Sequence, residues 1–273
     1  MRERPVRLLI ALVVAAIFAF PIWFMVSSAF KAEPEVHAIP LHLLPRDFQG
    51  LAKFREAAEI APLWRYFLNS WIYAAAHVVV TVFLGALAGF GFAKYRFPGR
   101  TVLFVAVLST LMVPFQVLVI PLFIEVKWFG WENSYAGLII PGMMNAFGVF
   151  MMRQYASDLP DEMIEAARVD GAGEFHIFLR IALPLLVPAL ASLAIIVFIW
   201  AWGNFLWPLV IVQDKDLNVL SVGMTSYSQP YQREPMWAAA MAASTVATLP
   251  IAALFVFFQR YFVKGLTAAA VKG

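Results

Sequence analysis

The chain has 273 residues, of which 62% are hydrophobic and only 14% charged, and its mean hydropathy is +0.78. A soluble domain carries about 45–50% apolar and about 25% charged residues, so these values exclude one and point to an all-α, polytopic membrane protein built as a single transmembrane domain. A formal charge of +3 leaves little basic excess for nucleic acid, and the absence of cysteine excludes disulfides, thiol catalysis and thiolate metal sites.

Arg2, Arg4 and Arg7 precede an uncharged run over 8–30. That run exceeds the about 20 residues that cross a hydrocarbon core. It also exceeds the about 7–15 apolar residues of a cleaved signal, so a retained first span is expected, kinked at Pro21. Residues 31–65 are polar and proline-rich, and 51–60 has the pattern of a short amphipathic helix. The second span is expected over 69–93. Gly85 and Gly89 there are spaced for close helix packing, and Gly91 extends the small-residue patch. Lys94, Arg96, Pro98-Gly99 and Arg100 make a basic turn. The third span covers 102–124, interrupted at Pro114 and Pro121, and the fourth covers 135–152, broken at Pro141-Gly142. The fifth, rich in tryptophan, covers 185–212. The sixth covers 236–262 with Pro250 inside, and a short tail follows from Lys264.

Between the fourth and fifth spans lies a polar segment, 153–184, with a short helix over 159–171. Asp158 is the expected N-cap and Pro160 suits the first turn. Asp161 and Glu162 complement the positive end of the helix dipole, and Gly171 ends the helix. Ala166 and Ala167 have almost no side chain, so a partner can approach the backbone there.

Basic residues set the orientation of such a chain. With the N-terminus cytoplasmic, twelve of the 20 Lys and Arg fall inside and eight outside, five of the eight in the longer first loop where the rule is weakest. Both termini and the 153–184 segment then face the cytoplasm. The chain lacks a phosphate-binding G-x-x-x-x-G-K-[ST] loop, an HExxH and a G-x-S-x-G. Among Asp, Glu, Lys, Arg and His, only His77 stands in the interior of an expected span, with Arg260 near the end of the sixth. His77 is either functional or a neutral histidine bonded to a neighbouring helix. The missing buried acids tell against proton-coupled secondary transport, and the missing nucleophile signature tells against an intramembrane hydrolase. Trp200, Asn204 and Trp207 share a face at i, i+4 and i+7. Aromatic faces with an amide suit a sugar, and an aromatic belt at the membrane interface gives the same pattern.

The string Glu165-Ala166-Ala167, three residues, Gly171, nine residues, Ile181, one residue, Leu183-Pro184 resembles the EAA loop of ABC importer permeases. Leu220-Ser221-Val222-Gly223-Met224, Gln259-Arg260 and the ending Gly265 to Gly273 are similar to the second permease of carbohydrate importers of the maltose type. The resemblance is sharp from the fourth span onward and one of layout before it. It implies a type I ABC importer permease fold with six transmembrane helices in a bacterial or archaeal cytoplasmic membrane, multi-pass. It implies a heterodimer with a second permease subunit, two ATPase subunits that hold ATP and Mg, and an extracytoplasmic sugar-binding protein. This chain would bind no cofactor itself. Glu165, Ala166, Ala167, Asp170 and Gly171 would couple to an ATPase. Tyr227, Ser228, Gln229, Tyr231 and Gln232, in the 213–235 loop, would contact the binding protein, and the C-terminal tail would approach the ATPases. Trp200, Asn204 and Trp207 would line the translocation path, although in the maltose type the sugar contacts lie mainly in the partner permease. A permease for another solute, such as a glycerol phosphoester, is the alternative within the superfamily.

Overall fold

A computed structural model describes residues 3–227 and 236–270. All regular secondary structure among the described residues is helical. The main helices in chain order are α1 (Glu3–Ser28), α2 (Leu63–Lys94), α3 (Arg100–Met112), α4 (Phe115–Trp128), α5 (Tyr135–Gly142), α6 (Ala146–Ser157), α7 (Asp161–Val169), α8 (Glu174–Leu185), α9 (Val187–Trp202), α10 (Leu206–Ile211) and α11 (Trp237–Ala270). Val6–Ser28 of α1, all of α2 and Trp237–Phe258 of α11 are each long and apolar enough to cross a membrane. The pairs α3–α4, α5–α6 and α8–α9 are bent by 100°, 45° and 80°, and counting each pair as one span gives the six expected.

The bends have local causes. Val113 is extended (φ −85, ψ 114) because Pro114 follows it and disfavours helical backbone there. Pro141-Gly142 ends α5, and Asn145 restarts the chain as the N-cap of α6, its Oδ1 accepting the Gly148 N–H at 2.8 Å. Leu186 leaves helical geometry (φ −88, ψ 1) two residues before Pro188. Pro21, Pro121 and Pro250, by contrast, lie inside helices that continue past them. A proline removes one ladder bond and bends a helix without having to end it. The fifth span departs from its expected 185–212. α8 leads into it at 80°, and α9 stops at Trp202, before Gly203 and Asn204. Pro208 has no N–H to return to residue 204, so α10 is a separate turn of helix. The expected C-terminal tail is helical as far as Ala270.

The chain divides into two compact units, Met1–Phe67 with Leu220–Ala252 and Leu68–Val219 with Ala253–Gly273. In the first, the expected short helix forms at Ala52–Ile60. Glu33 takes the N–H groups of Trp237 and Ala238 and so caps α11. Lys31 is fully buried, and its Nζ donates to the His42 carbonyl at 2.6 Å. Gly223 lies under the Tyr66 ring, where an added Cβ would stand 2.1 Å from Cδ2.

In the second unit a row of every fourth residue on α2 carries the organisation: Tyr73, His77, Thr81, Gly85 and Gly89, all buried. Gly85 meets the backbone of Gly148, and Gly89 meets that of Met152 and Arg153, so α6 lies directly against α2. Gly91, expected to extend this patch, faces open space. The core below joins five helices through Phe90, Met152, Ile164, Phe178, Leu186 and Leu193.

Candidate functional site

α7 begins at Asp161 with Pro160 as its N-cap residue and no side-chain cap. Asp158, the expected cap, instead closes α6. The N-terminal turn is secured by Lys94 from the end of α2, which donates to the Leu159 carbonyl at 2.5 Å and to Asp161 Oδ1 at 2.6 Å. The C-terminus is a Schellman motif. Gly171 N–H bonds the Arg168 carbonyl and Ala172 N–H the Ala167 carbonyl, with Gly171 at φ +81. Arg168 then forks onto Glu174 with bonds of 2.8 and 3.1 Å, and the Tyr95 hydroxyl donates to the same carboxylate. Both ends of α7 are therefore fixed to α2 and α8 by charged hydrogen bonds.

The faces of α7 differ. Ile164 and Ala167 join the core, while Glu162, Met163, Glu165, Ala166, Val169 and Asp170 are exposed, Val169 by 88%. Of the two alanines expected to admit a partner, only Ala166 is free to do so. Ala167 lies inward because it follows Ile164 by three residues.

Lys94 holds the Asp161 carboxyl below its ordinary range, chiefly through their hydrogen bond. A depressed carboxylate stabilises the fold above its unfolded pKa, and that contribution is lost as pH falls through the folded value. Amides of α7 beyond its first turn, which donate back to that turn, should therefore lose protection on acidification, after correction for intrinsic exchange. Lys94→Met should give the unprotected pattern at every pH. Hydrogen exchange read by mass spectrometry checks this, and identical profiles for the two proteins would remove Lys94 from the clamp.

A cavity of about 380 Å³ lies in the same unit, bordered by the breaks at Pro141–Asn145 and Gly203–Phe205. Irregular backbone within a membrane protein is tolerated where it lines a cavity. Tyr73, His77 and Thr81 form one wall, and Trp200, Ala201, Asn204 and Trp207 another, with Phe115 and Gly142 between. Most of its polar groups are engaged. Asn204 Nδ2 donates to the Tyr73 hydroxyl at 2.9 Å, and Thr81 Oγ1 donates to the Met143 carbonyl at 2.7 Å. Trp207 Nε1 donates to the Gly137 and Leu138 carbonyls at 3.1 and 3.2 Å. His77 stands 4.4 Å from the Tyr73 ring, edge to face, and is 5% exposed. Its Nε2 has no hydrogen-bond partner, one of three such buried side-chain atoms among the described residues and the one that borders this cavity. Leaving a buried polar atom unpaired costs about 1–3 kcal/mol.

The three residues expected along the path thus share a cavity without sharing a helix. Trp200 is on α9, Asn204 is in the break and Trp207 is on α10. Trp207 is nearly fully buried, whereas Trp200 is half exposed and meets Phe147 edge to face. Tyr227 is buried too, its hydroxyl donating to the Ala57 carbonyl at 2.8 Å, which takes it out of the exposed loop surface expected of it. Ser228, Gln229, Tyr231 and Gln232 lie outside the described residues. Tyr73, Thr81, Lys94, Tyr95 and Glu174 were not expected to serve either site. The i, i+4, i+8 spacing of Tyr73 and Thr81 about His77 was the available signal for two of them.

Residues 81–268 match the family of binding-protein-dependent transport system inner membrane components. The chain belongs to this family. The arabinooligosaccharides transport system permease protein AraQ of Bacillus subtilis is 34% identical over 266 residues, covering 96% of this chain and 93% of that one. The protein of the same name from Halalkalibacterium halodurans is 36% identical over 262 residues, covering 95% and 93%. The sn-glycerol-3-phosphate transport system permease protein UgpE of Escherichia coli is 33% identical over 256 residues, covering 92% and 91%. In fold, the permease matches a chain of a bacterial ABC transporter involved in import of the acidic polysaccharide alginate, with a TM-score of 0.85 at 22% identity, covering 95% and 96% of the two chains. The chain is a permease component of a binding-protein-dependent importer, as the EAA-like loop implied. The hydrolase and secondary-transporter alternatives gain no support from these relatives.

Proposed function

We propose that this permease pairs with a second, different permease to enclose the path of a sugar or oligosaccharide across a bacterial or archaeal cytoplasmic membrane. Two ATPase subunits holding ATP and Mg dock on its cytoplasmic side, and an extracytoplasmic sugar-binding protein delivers the solute. The observation that carries this reading is the division of α7. Its inner face is locked into the core and both its ends are clamped, while Met163, Ala166 and Val169 stay exposed. A helix so held moves with α2 and α8 as one body. Its outer face, with Glu165, Asp170 and Gly171, suits a groove on an ATPase. ATP-driven closure of that partner would turn the attached helices and switch the path between inward and outward openings. Between its charged ends, the 213–235 loop carries Ser221, Thr225, Ser226, Ser228, Gln229, Tyr231 and Gln232, uncharged hydrogen-bonding groups that suit entry into the cleft of a sugar-binding protein.

Topology tests the arrangement. The chain has no native thiol, so Ser228→Cys, Asp158→Cys and Lys272→Cys can each be read alone. An impermeant thiol reagent outside intact cells should modify only the first. Modification of Asp158→Cys from outside would overturn the orientation and the ATPase contact together. Co-purification from the native membrane should bring a second permease and an ATPase with this chain.

A further inference from the structure

We propose that the cavity bordered by His77 is a subsite for an uncharged, polyhydroxylated solute, and that His77 Nε2 reads one of its hydroxyls. The proposal rests on the permease reading above and gives its solute a site within this chain.

Relatives named for an arabinooligosaccharide and for a glycerol phosphate match this chain at 34% and 33% identity, so likeness alone does not choose between them. The wall chemistry does. None of the side chains lining the cavity is a lysine, arginine, aspartate or glutamate. A phosphate group entering it would lose its hydration and meet no countercharge, which is unfavourable in a low-dielectric site. A sugar asks for something else: aromatic surface for its C–H faces and one or two hydrogen-bonding groups for its hydroxyls. Trp200 and Phe115, both exposed, supply the first. The volume of about 380 Å³ falls within the about 300–1,000 Å³ of small-molecule sites.

For the second, the hydrogen-bonding state of the wall is selective. Tyr73, Thr81 and the Trp207 indole are turned to partners within the protein, Asn145 Oδ1 accepts the Gly148 N–H, and Asn204 holds Tyr73. His77 Nε2 is left without one. In either neutral tautomer this nitrogen donates or accepts, and a hydroxyl answers both. Gly142 lies against the imidazole edge, where an added Cβ would stand 3.0 Å from Cε1 and 3.4 Å from Nε2. It closes α5 at the Pro141–Asn145 break, outside any continuous helical ladder. Nε2 itself is buried, so a hydroxyl reaches it only when that break shifts, which ties loading of the solute to movement of the broken span.

The test uses Ala201→Cys, a small lining residue in a chain without native thiols, within the assembled importer in detergent. The rate of its modification by a small uncharged thiol reagent is read from the mass of this chain. The probes are neutral di- and trisaccharides, arabinotriose among them, and sn-glycerol 3-phosphate. Protection scales as one plus the ratio of ligand to its Kd, so a sugar at about nine times its Kd should slow modification about tenfold. The phosphoester should leave the rate unchanged. His77→Ala should abolish the protection. Gly142→Ala, which covers the nitrogen and keeps the imidazole, should do the same. Protection by sn-glycerol 3-phosphate, protection that survives both substitutions, or protection by none of the sugars overturns the proposal. Should His77→Ala fail to assemble, Gly142→Ala and the choice of protecting solute still decide. An importer that takes up solute and responds to its binding protein, yet shows no protection, loses this subsite and keeps the permease function.

Discussion

Arginine at position 166 should abolish solute uptake while leaving the chain folded, inserted and paired with its partner permease. Ala166 lies on the exposed face of α7, and arginine is a good helix former, so the helix itself has no reason to fail. The loss would come from the contact proposed on that face. A closely fitted groove that accepts a methyl group must either exclude the guanidinium or bury it unpaired, and an uncompensated buried charge costs about 3–5 kcal/mol. ATP hydrolysis stimulated by the binding protein should fall with uptake in proteoliposomes, because both need the docked helix. Gly171→Asp is the milder companion. Gly171 has open space around it and φ +81, a conformation that costs a side chain about 1 kcal/mol. A large loss of uptake there would therefore reflect the partner rather than the fold. Ala167→Arg must behave differently, since Ala167 is buried in the core and its replacement should remove folded protein from the membrane. If Ala166→Arg transports at the wild-type rate, α7 is not the coupling element.

The contrast between Ala166 and Ala167 shows where sequence reading stopped. The two are adjacent and alike, and the EAA pattern does not say which one faces outward. The distinction depends on where Ile164 packs, and that is set by Phe90, Met152 and Phe178 from other helices. The helix and its end were legible because proline, acidic residues and glycine act locally. The start was misplaced by the same logic. Asp158 has the chemistry of an N-cap, but α6 runs to Ser157 and claims it as a C-cap. The load passed to Lys94, sixty-seven residues before Asp161, a pairing that no local pattern announces. The breaks at Pro114 and Pro141-Gly142 were read correctly, since proline disfavours helical backbone before it, whereas the interruption expected at Pro121 did not form and α4 runs through it. The break after Trp202 was missed because the run from 185 to 212 carries no charge, and hydropathy does not register a missing ladder bond at Pro208. The cavity was half legible. Trp200, Asn204 and Trp207 were selected for a shared helical face that does not exist, yet the break that destroys the face also brings all three to one cavity.

Alanine at position 89 should destabilise the permease more than its size suggests. A Cβ there would stand 2.6 Å from the Arg153 nitrogen, 2.7 Å from the Met152 Cβ and 2.8 Å from the Met152 carbonyl carbon. Two of the three are backbone atoms, so no side-chain rotation relieves the contact. α2 and α6 must separate instead. Overpacking of a close-fitted interior costs about 1–3 kcal/mol, and here the strain runs along a shared row. Gly85 against Gly148 and the Thr81 bond to the Met143 carbonyl lie on the same face of α2, one and two turns before Gly89. Separation of the helices would lengthen that bond and move the Pro141–Asn145 break beside His77. The expected results are a lower thermal unfolding midpoint of the detergent-solubilised importer and less assembled complex in the membrane. Gly91→Ala is the control, on the same helix two residues on, with nothing within 4 Å of its new methyl. Alanine is favoured over glycine in a helix by about 1 kcal/mol, so that variant should be as stable as wild type or slightly more so. Equal unfolding midpoints for Gly89→Ala and Gly91→Ala would mean that α2 and α6 are not in backbone contact, and that the every-fourth-residue row does not set their packing.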